Sequence, residues 1–94
     1  MTRDELSYCI SELDRIHDDY YLAFETSKNG RNLKSRYAAS NKMDMVKIKV
    51  KNLFDLYPEL LDFVEYPDEF FEYQHFLRDL QHLISKLKSE QLNQ

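Results

Sequence analysis

Apolar residues recur along this chain at alternating three- and four-residue steps, the spacing that gathers them on one face of an α-helix. The run that organises the rest is Phe70, Tyr73, Leu77, Leu80, Ile84 and Leu87. At about 100° per residue these positions share roughly one quadrant of a helical wheel. Phe76 and Leu83 flank the stripe and widen it to the face that a packed helix presents. Pro67 and Asp68 supply a start signal, and Asp68, Glu69 and Glu72 bring negative charge to the positive end of the helix dipole. Lys86 and Lys88 complement the other end. The pattern predicts a helix over Asp68–Leu87, with Phe71 on its far side.

The N-terminal stretch repeats the theme. Thr2 followed by Glu5 fits a capping box, in which each side chain satisfies a free N–H of the other residue's backbone. Leu6, Ile10, Leu13, His17, Tyr20 and Phe24 then hold a strict 4-3-4-3-4 spacing, flanked by Ile16 and Tyr21. This helix is expected to end near Gly30, which can adopt the left-handed conformation that closes a helix.

The middle of the chain carries two signals. Ala39, Met43, Val46, Val50, Leu53 and Tyr57 keep the three/four spacing, whereas residues 46–51 alternate apolar with lysine, as a strand does. No second strand-like run exists to pair with, and a lone strand leaves its backbone unsatisfied. A helix from about Asn32 to Tyr57 is therefore expected, with Met45 and Ile48 on a second apolar face. Pro58 breaks it. A short helical element over Glu59–Tyr66 either folds back over that second face or leaves it open. The fold class is all-α: an antiparallel three-helix bundle with a short fourth helical element, in one domain spanning residues 1–94.

Composition agrees. A chain of 94 residues can bury one modest core, and one glycine and two prolines do not suit a turn-rich β fold. The single Cys9 offers neither an internal disulfide nor a zinc framework. No apolar run is long enough to span a bilayer, and the N-terminus lacks a signal-peptide core, so a soluble cytoplasmic protein is expected.

Charge falls in blocks. Residues 1–27 carry a net −5, residues 28–54 a net +7, residues 55–79 a net −7, and residues 80–94 a net +1. In an up-down-up bundle the basic middle helix would lie between two acidic ones, so the blocks would attract across the interfaces. A basic segment also admits nucleic-acid binding, through Arg31, Lys34, Arg36, Lys42, Lys47, Lys49 and Lys51.

Candidate chemistry is sparse. Glu72 and His75, Asp79 and His82, and Asp14 and His17 each hold the Glu/Asp-x-x-His spacing of carboxylate-bridged metal bundles, but such a site needs further inward carboxylates. The Glu72–His82 stripe lies opposite the apolar face, where solvent and local pairing explain it. His17 interrupts an apolar stripe and reads as a neutral, hydrogen-bonded histidine at a helix seam. There is no phosphate loop, nucleophile elbow or zinc spacing. No cofactor, no metal and no enzymatic activity are expected.

Aromatics stand out, with seven Tyr and six Phe and no Trp. Most belong in the core, but Tyr8, Leu22 and Phe71 fall opposite the main stripes of their helices, as Met45 and Ile48 do on the middle one. Exposed aromatic and aliphatic side chains of this kind are enriched at protein interfaces. Non-enzymatic protein binding through Tyr8, Leu22, Met45, Ile48 and Phe71 is therefore the expected function, as an adaptor, inhibitor or regulatory subunit. The partner is another protein or a second copy. The alternatives are nucleic-acid binding through the basic segment, or an acidic aromatic surface that imitates nucleic acid.

Overall fold

A computed structural model describes residues 1–70 and 75–93. Its elements are α1 (Arg3–Asn29), α2 (Leu33–Leu56), two short 3-10 turns (Pro58–Phe63 and Pro67–Glu69) and α3 (Phe76–Leu92). No strand occurs among the described residues, and the protein is the expected all-α bundle of three helices with a short fourth element.

Both long helices start where capping chemistry dictates. Thr2 accepts from the Glu5 N–H at 3.1 Å while the Thr2 N–H donates to the Glu5 carboxylate at 2.9 Å, completing the capping box of α1. Asn32 does the same work for α2 through one bond, its Oδ1 accepting from the Ser35 N–H at 2.8 Å. Gly30 follows α1 as expected, but not for the expected reason. Its φ of −58° and ψ of 145° lie in the extended region open to any L-residue. A Cβ there would come within 2.6 Å of the Thr26 carbonyl oxygen, so crowding rather than handedness favours glycine.

The helix α1 has two neighbours, and its buried residues form more than one row. Leu6, Leu13 and Tyr20 recur every seven residues along the middle, and Cys9, Ile16 and Ala23 recur every seven beside them. Ile16 faces Leu53 and Lys49 of α2. On the other side, His17 meets Gln81 of α3. His17 and Phe24, expected within the main stripe, are therefore half-buried at its edge.

Helix directions follow from the cross-links. Along α1, Tyr8 pairs with Tyr57 and Tyr20 lies beneath Lys47, so α2 runs antiparallel to it. Ser7 meets Gln91, Asp14 meets Lys88 and His17 meets Gln81, so α3 is antiparallel to α1 as well. The helices α2 and α3 therefore run in the same direction, and acidic α1 packs along both, while α2 meets the start of α3 where Lys47 lies over Phe76. The up-down-up order is replaced by up-down-down, with the chain after α2 returning along the bundle. The ion pair Lys88–Asp14, at 3.6 Å, ties α3 to α1.

Two expectations about the third helix change. Pro67 starts a separate 3-10 turn rather than α3, because a proline at the first helical position suits a tight turn as well as an α-helix. With Phe70 outside α3, the buried stripe rotates to Phe76, Leu80, Leu83 and Leu87, with Ile84 beside it and Leu77 at the edge. Phe70 is buried all the same. Its ring stands 5.4 Å from Phe54 and 5.8 Å from Phe76, and Phe76 stands 4.5 Å from Tyr20. Tilted and edge-on pairs of this kind contribute about 0.5–1.5 kcal/mol each beyond their buried area.

The turn Pro58–Phe63 settles the question left by the middle of the chain. Leu60 is fully buried in the core, beneath α2 and α3, and Leu61 is exposed. The turn thus seals one end of the bundle and does not cover the outer face of α2.

Candidate functional site

The outer face of α2 is where exposed apolar side chains collect. Tyr37, Met45, Ile48 and Leu56 are 68%, 62%, 54% and 70% exposed. Asn41 and Asn52 fall between them at helical spacing, so the stripe runs 37, 41, 45, 48, 52, 56 along nearly the whole helix. The opposite side of the same helix supplies Ala39, Met43, Val46, Val50 and Leu53 to the core. The helix therefore has two apolar faces, and the bundle uses one.

Of the residues expected to bind a partner, Met45 and Ile48 lie at the centre of this stripe. Tyr8 joins it from α1: its ring is 6.2 Å from Tyr57, and it lines a groove of about 200 Å³ with Leu56, Lys49 and Glu12, floored by Ile16 and Leu53. Leu22 is exposed but sits toward the far end of α1, away from that groove. Phe71 lies outside the described residues. Tyr37 and Leu56 were missed by sequence reasoning, although the four-residue steps from Tyr37 through Asn41 to Met45 carried the signal.

The basic residues do not share a face. Arg31, Lys34, Arg36, Lys42, Lys49 and Lys51 are exposed, and Arg36 donates its Nε–H to the Gly30 carbonyl at 3.0 Å and so braces the α1–α2 turn. Lys47 points inward, its Nζ 5.9 Å from the Tyr20 ring centroid and 5.5 Å from that of Phe76. Burial lowers its pKa, and neighbouring Lys51 acts in the same direction against the opposing pull of Asp44. Along the helix, exposed Lys42 and Lys49 border one side of the apolar stripe, exposed Lys51 shares the other with Asp44 and Asp55, and Lys34 lies in line with the stripe at its N-terminal end.

The remaining candidates resolve into local structure. The Gln81 side-chain amide lies 3.1 Å from His17 Nε2, and the Asp18 carboxylate lies 3.3 Å from His17 Nδ1. This arrangement bridges α1 to α3. His75 is half-buried at the start of α3 with no capping bond from its side chain, and His82 is exposed. Asp79 pairs with Arg78 at 3.5 Å, and Glu72 lies outside the described residues. Among the described residues, no three His, Cys, Asp or Glu side chains converge on a common point. Cys9 is fully buried, and burial together with the negative charges of Glu5 and Glu59 pushes its thiol up to about 11. A thiol in that setting is a poor nucleophile.

The aromatic residues of the acidic stretch divide between inside and outside. Phe54, Phe70 and Phe76 are core, while Tyr66 is exposed beside Glu65, Asp68 and Glu69. Among the described residues no helix is long and apolar enough to cross a membrane. In comparisons with protein families, with characterised proteins and with solved structures, the chain matches none.

Proposed function

We propose that the protein is a non-enzymatic binding module that docks on another protein through the outer face of α2. The observation that carries this reading is the exposed stripe of Tyr37, Met45, Ile48 and Leu56, on a helix whose other face is fully engaged in the core. Contiguous apolar surface rimmed by polar side chains is costly to leave in water and marks interaction sites. Helix-in-groove and helix-on-helix recognition both use anchors at this spacing. The scattered directions of Arg36, Lys47 and Lys49 weigh against a basic surface built to follow a phosphate backbone.

The test compares two sets of variants in affinity capture from host lysate, with and without nuclease and at moderate salt. Under the docking reading, Ile48→Asp and Met45→Asp abolish capture of a protein that survives nuclease, while the triple change Arg31→Glu, Lys34→Glu, Arg36→Glu does not. The opposite result, with recovered nucleic acid and loss only in the triple variant, would move the function to the basic segment. Phe71→Asp is included because the sequence places it among the candidate anchors.

A further inference from the structure

The exposed stripe of α2 reads the same from either end. Its positions Tyr37, Asn41, Met45, Ile48, Asn52 and Leu56 step by four, four, three, four and four residues, so the spacing is symmetric about the middle of the helix. Large apolar side chains hold the ends and the centre, and an asparagine stands at the same remove on each side. A two-fold interface needs this property, because each contact of one residue with another is repeated in the reverse sense. We infer that the outer face of α2 receives the antiparallel α2 of a second copy of the chain, with Asn41 opposite Asn52 and Met45 opposite Ile48. This inference rests on the docking reading above and makes the docked protein another molecule of the same chain.

Charge at the helix ends selects the antiparallel direction. Lys34 lies in the first turn of α2 and Asp55 in the last, each at the end where the dipole of its own helix disfavours its charge. No acidic residue in the first turn and no basic residue in the last offsets them, and both are exposed. Antiparallel pairing brings Lys34 of each copy to the C-terminal end of the other helix, within reach of Asp55. Along the margin that holds Asp55, Asp44 of one copy comes level with Lys51 of the other, and Tyr37 with Asp55. The opposite margin sets Lys42 and Lys49 near their own counterparts, a repulsion between exposed groups that Glu12 of α1, beside Lys49 in the groove, offsets. Parallel pairing would instead place Lys34 against Lys34 and Asp55 against Asp55. The asparagines fix the register, as a polar residue at a helix seam does at some cost in stability. A slip of one turn in either direction sets Asn41 against Ile48 or Leu56.

Sedimentation equilibrium of the full chain, run from micromolar to millimolar concentration, should show a dimer. Ile48→Asp should make it monomeric with unchanged far-ultraviolet circular dichroism. Lys34→Glu and Asp55→Lys should each weaken the dimer by roughly fivefold or more, since each turns attraction into repulsion at both ends of the interface. Combined in one chain, the two changes should restore it. Each single change improves the match with the helix's own dipole, so its cost to the dimer is not a cost to the fold. For the direction, Asn41→Cys and Asn52→Cys variants are treated with a short bismaleimide, which the buried Cys9 does not meet. The mixture should cross-link, and neither variant alone should.

A chain that stays monomeric at millimolar concentration, or a dimer indifferent to Ile48→Asp, would overturn the second-copy assignment. Cross-linking of Asn41→Cys with itself would overturn the antiparallel register, as would a charge-swapped double variant that dimerises no better than the single ones. The docking reading fails separately. A monomeric chain whose capture of a lysate protein is lost with Ile48→Asp keeps that reading and gives the face to a different protein, whereas capture and sedimentation both indifferent to Ile48→Asp would end it.

Discussion

Two adjacent leucines in the first 3-10 turn offer a direct test of how the bundle is closed. Leu60 is 0% exposed and belongs to the core cluster, whereas Leu61 is 41% exposed. Truncating Leu60 to alanine removes three buried carbons, worth about 2.4 kcal/mol at roughly 0.8 kcal/mol each. A residual cavity on the order of 50 Å³ adds about 1.2 kcal/mol at roughly 24 cal/mol per Å³. The expected loss is therefore about 3–4 kcal/mol, against a total stability of about 5–14 kcal/mol for a domain of this size. Leu60→Ala should lower the melting temperature by roughly 12–32 °C, given about 4–8 °C per kcal/mol for a domain of 60–100 residues. Leu61→Ala should change stability by less than about 0.5 kcal/mol, as surface substitutions do. Urea denaturation followed by circular dichroism measures both, and a common slope with denaturant would show that the two variants unfold from equally compact native states. Equal costs at the two positions, or a loss under 1 kcal/mol at Leu60, would mean that the turn is not seated in the core.

Other outcomes follow from the caps, the buried thiol and the α1–α2 turn. Thr2→Ala should cost about 1 kcal/mol and speed hydrogen exchange at the first amides of α1, since it removes one half of the capping box. The Glu5 carboxyl is held below its ordinary pKa mainly by the Thr2 N–H, so the cap is intact above the ordinary carboxylate range. It weakens as pH falls through the lowered value, which a pH series of exchange at the same amides would reveal. Cys9 should resist a thiol reagent at pH 8 until denaturant is added. Because its proton is retained to about 11 in the fold but lost near 8.5 in the unfolded chain, Cys9 should make the protein less stable as pH rises between those values, and Cys9→Ala should flatten that decline. Gly30→Ala should destabilise the protein, although φ there suits alanine, because the new Cβ meets the Thr26 carbonyl; a higher melting temperature would refute the steric account.

What the chain specifies locally was legible without the fold. Caps act within four residues and apolar periodicity acts within a helix, so the Thr2–Glu5 box, a helix over about Asn32–Tyr57 and the placement of Met45 and Ile48 on its second face could all be read in advance. The helical reading of 46–51 prevailed over its strand-like alternation for the same reason, since Met43, Val46, Val50 and Leu53 fit one face. The start of α3 was misplaced because Pro67 and its acidic followers describe a helical turn without saying whether it continues.

Only the tertiary structure decided how the helices are rotated and directed. With a neighbour on each side, α1 buries parallel rows, which bring Ala23 inward in line with Cys9 and Ile16 and leave His17 and Phe24 at the margin. The direction of α3 depended on a return of the chain after Pro58 that no local pattern encodes. The orientation of the lysines depended on the same packing: block charge counts residues, but Lys47 faces Phe76 and Tyr20 while Lys42 and Lys49 border the outer stripe. Periodicity says that a helix has an apolar face. Which of two such faces is buried and which stays exposed is set by the neighbours that reach it.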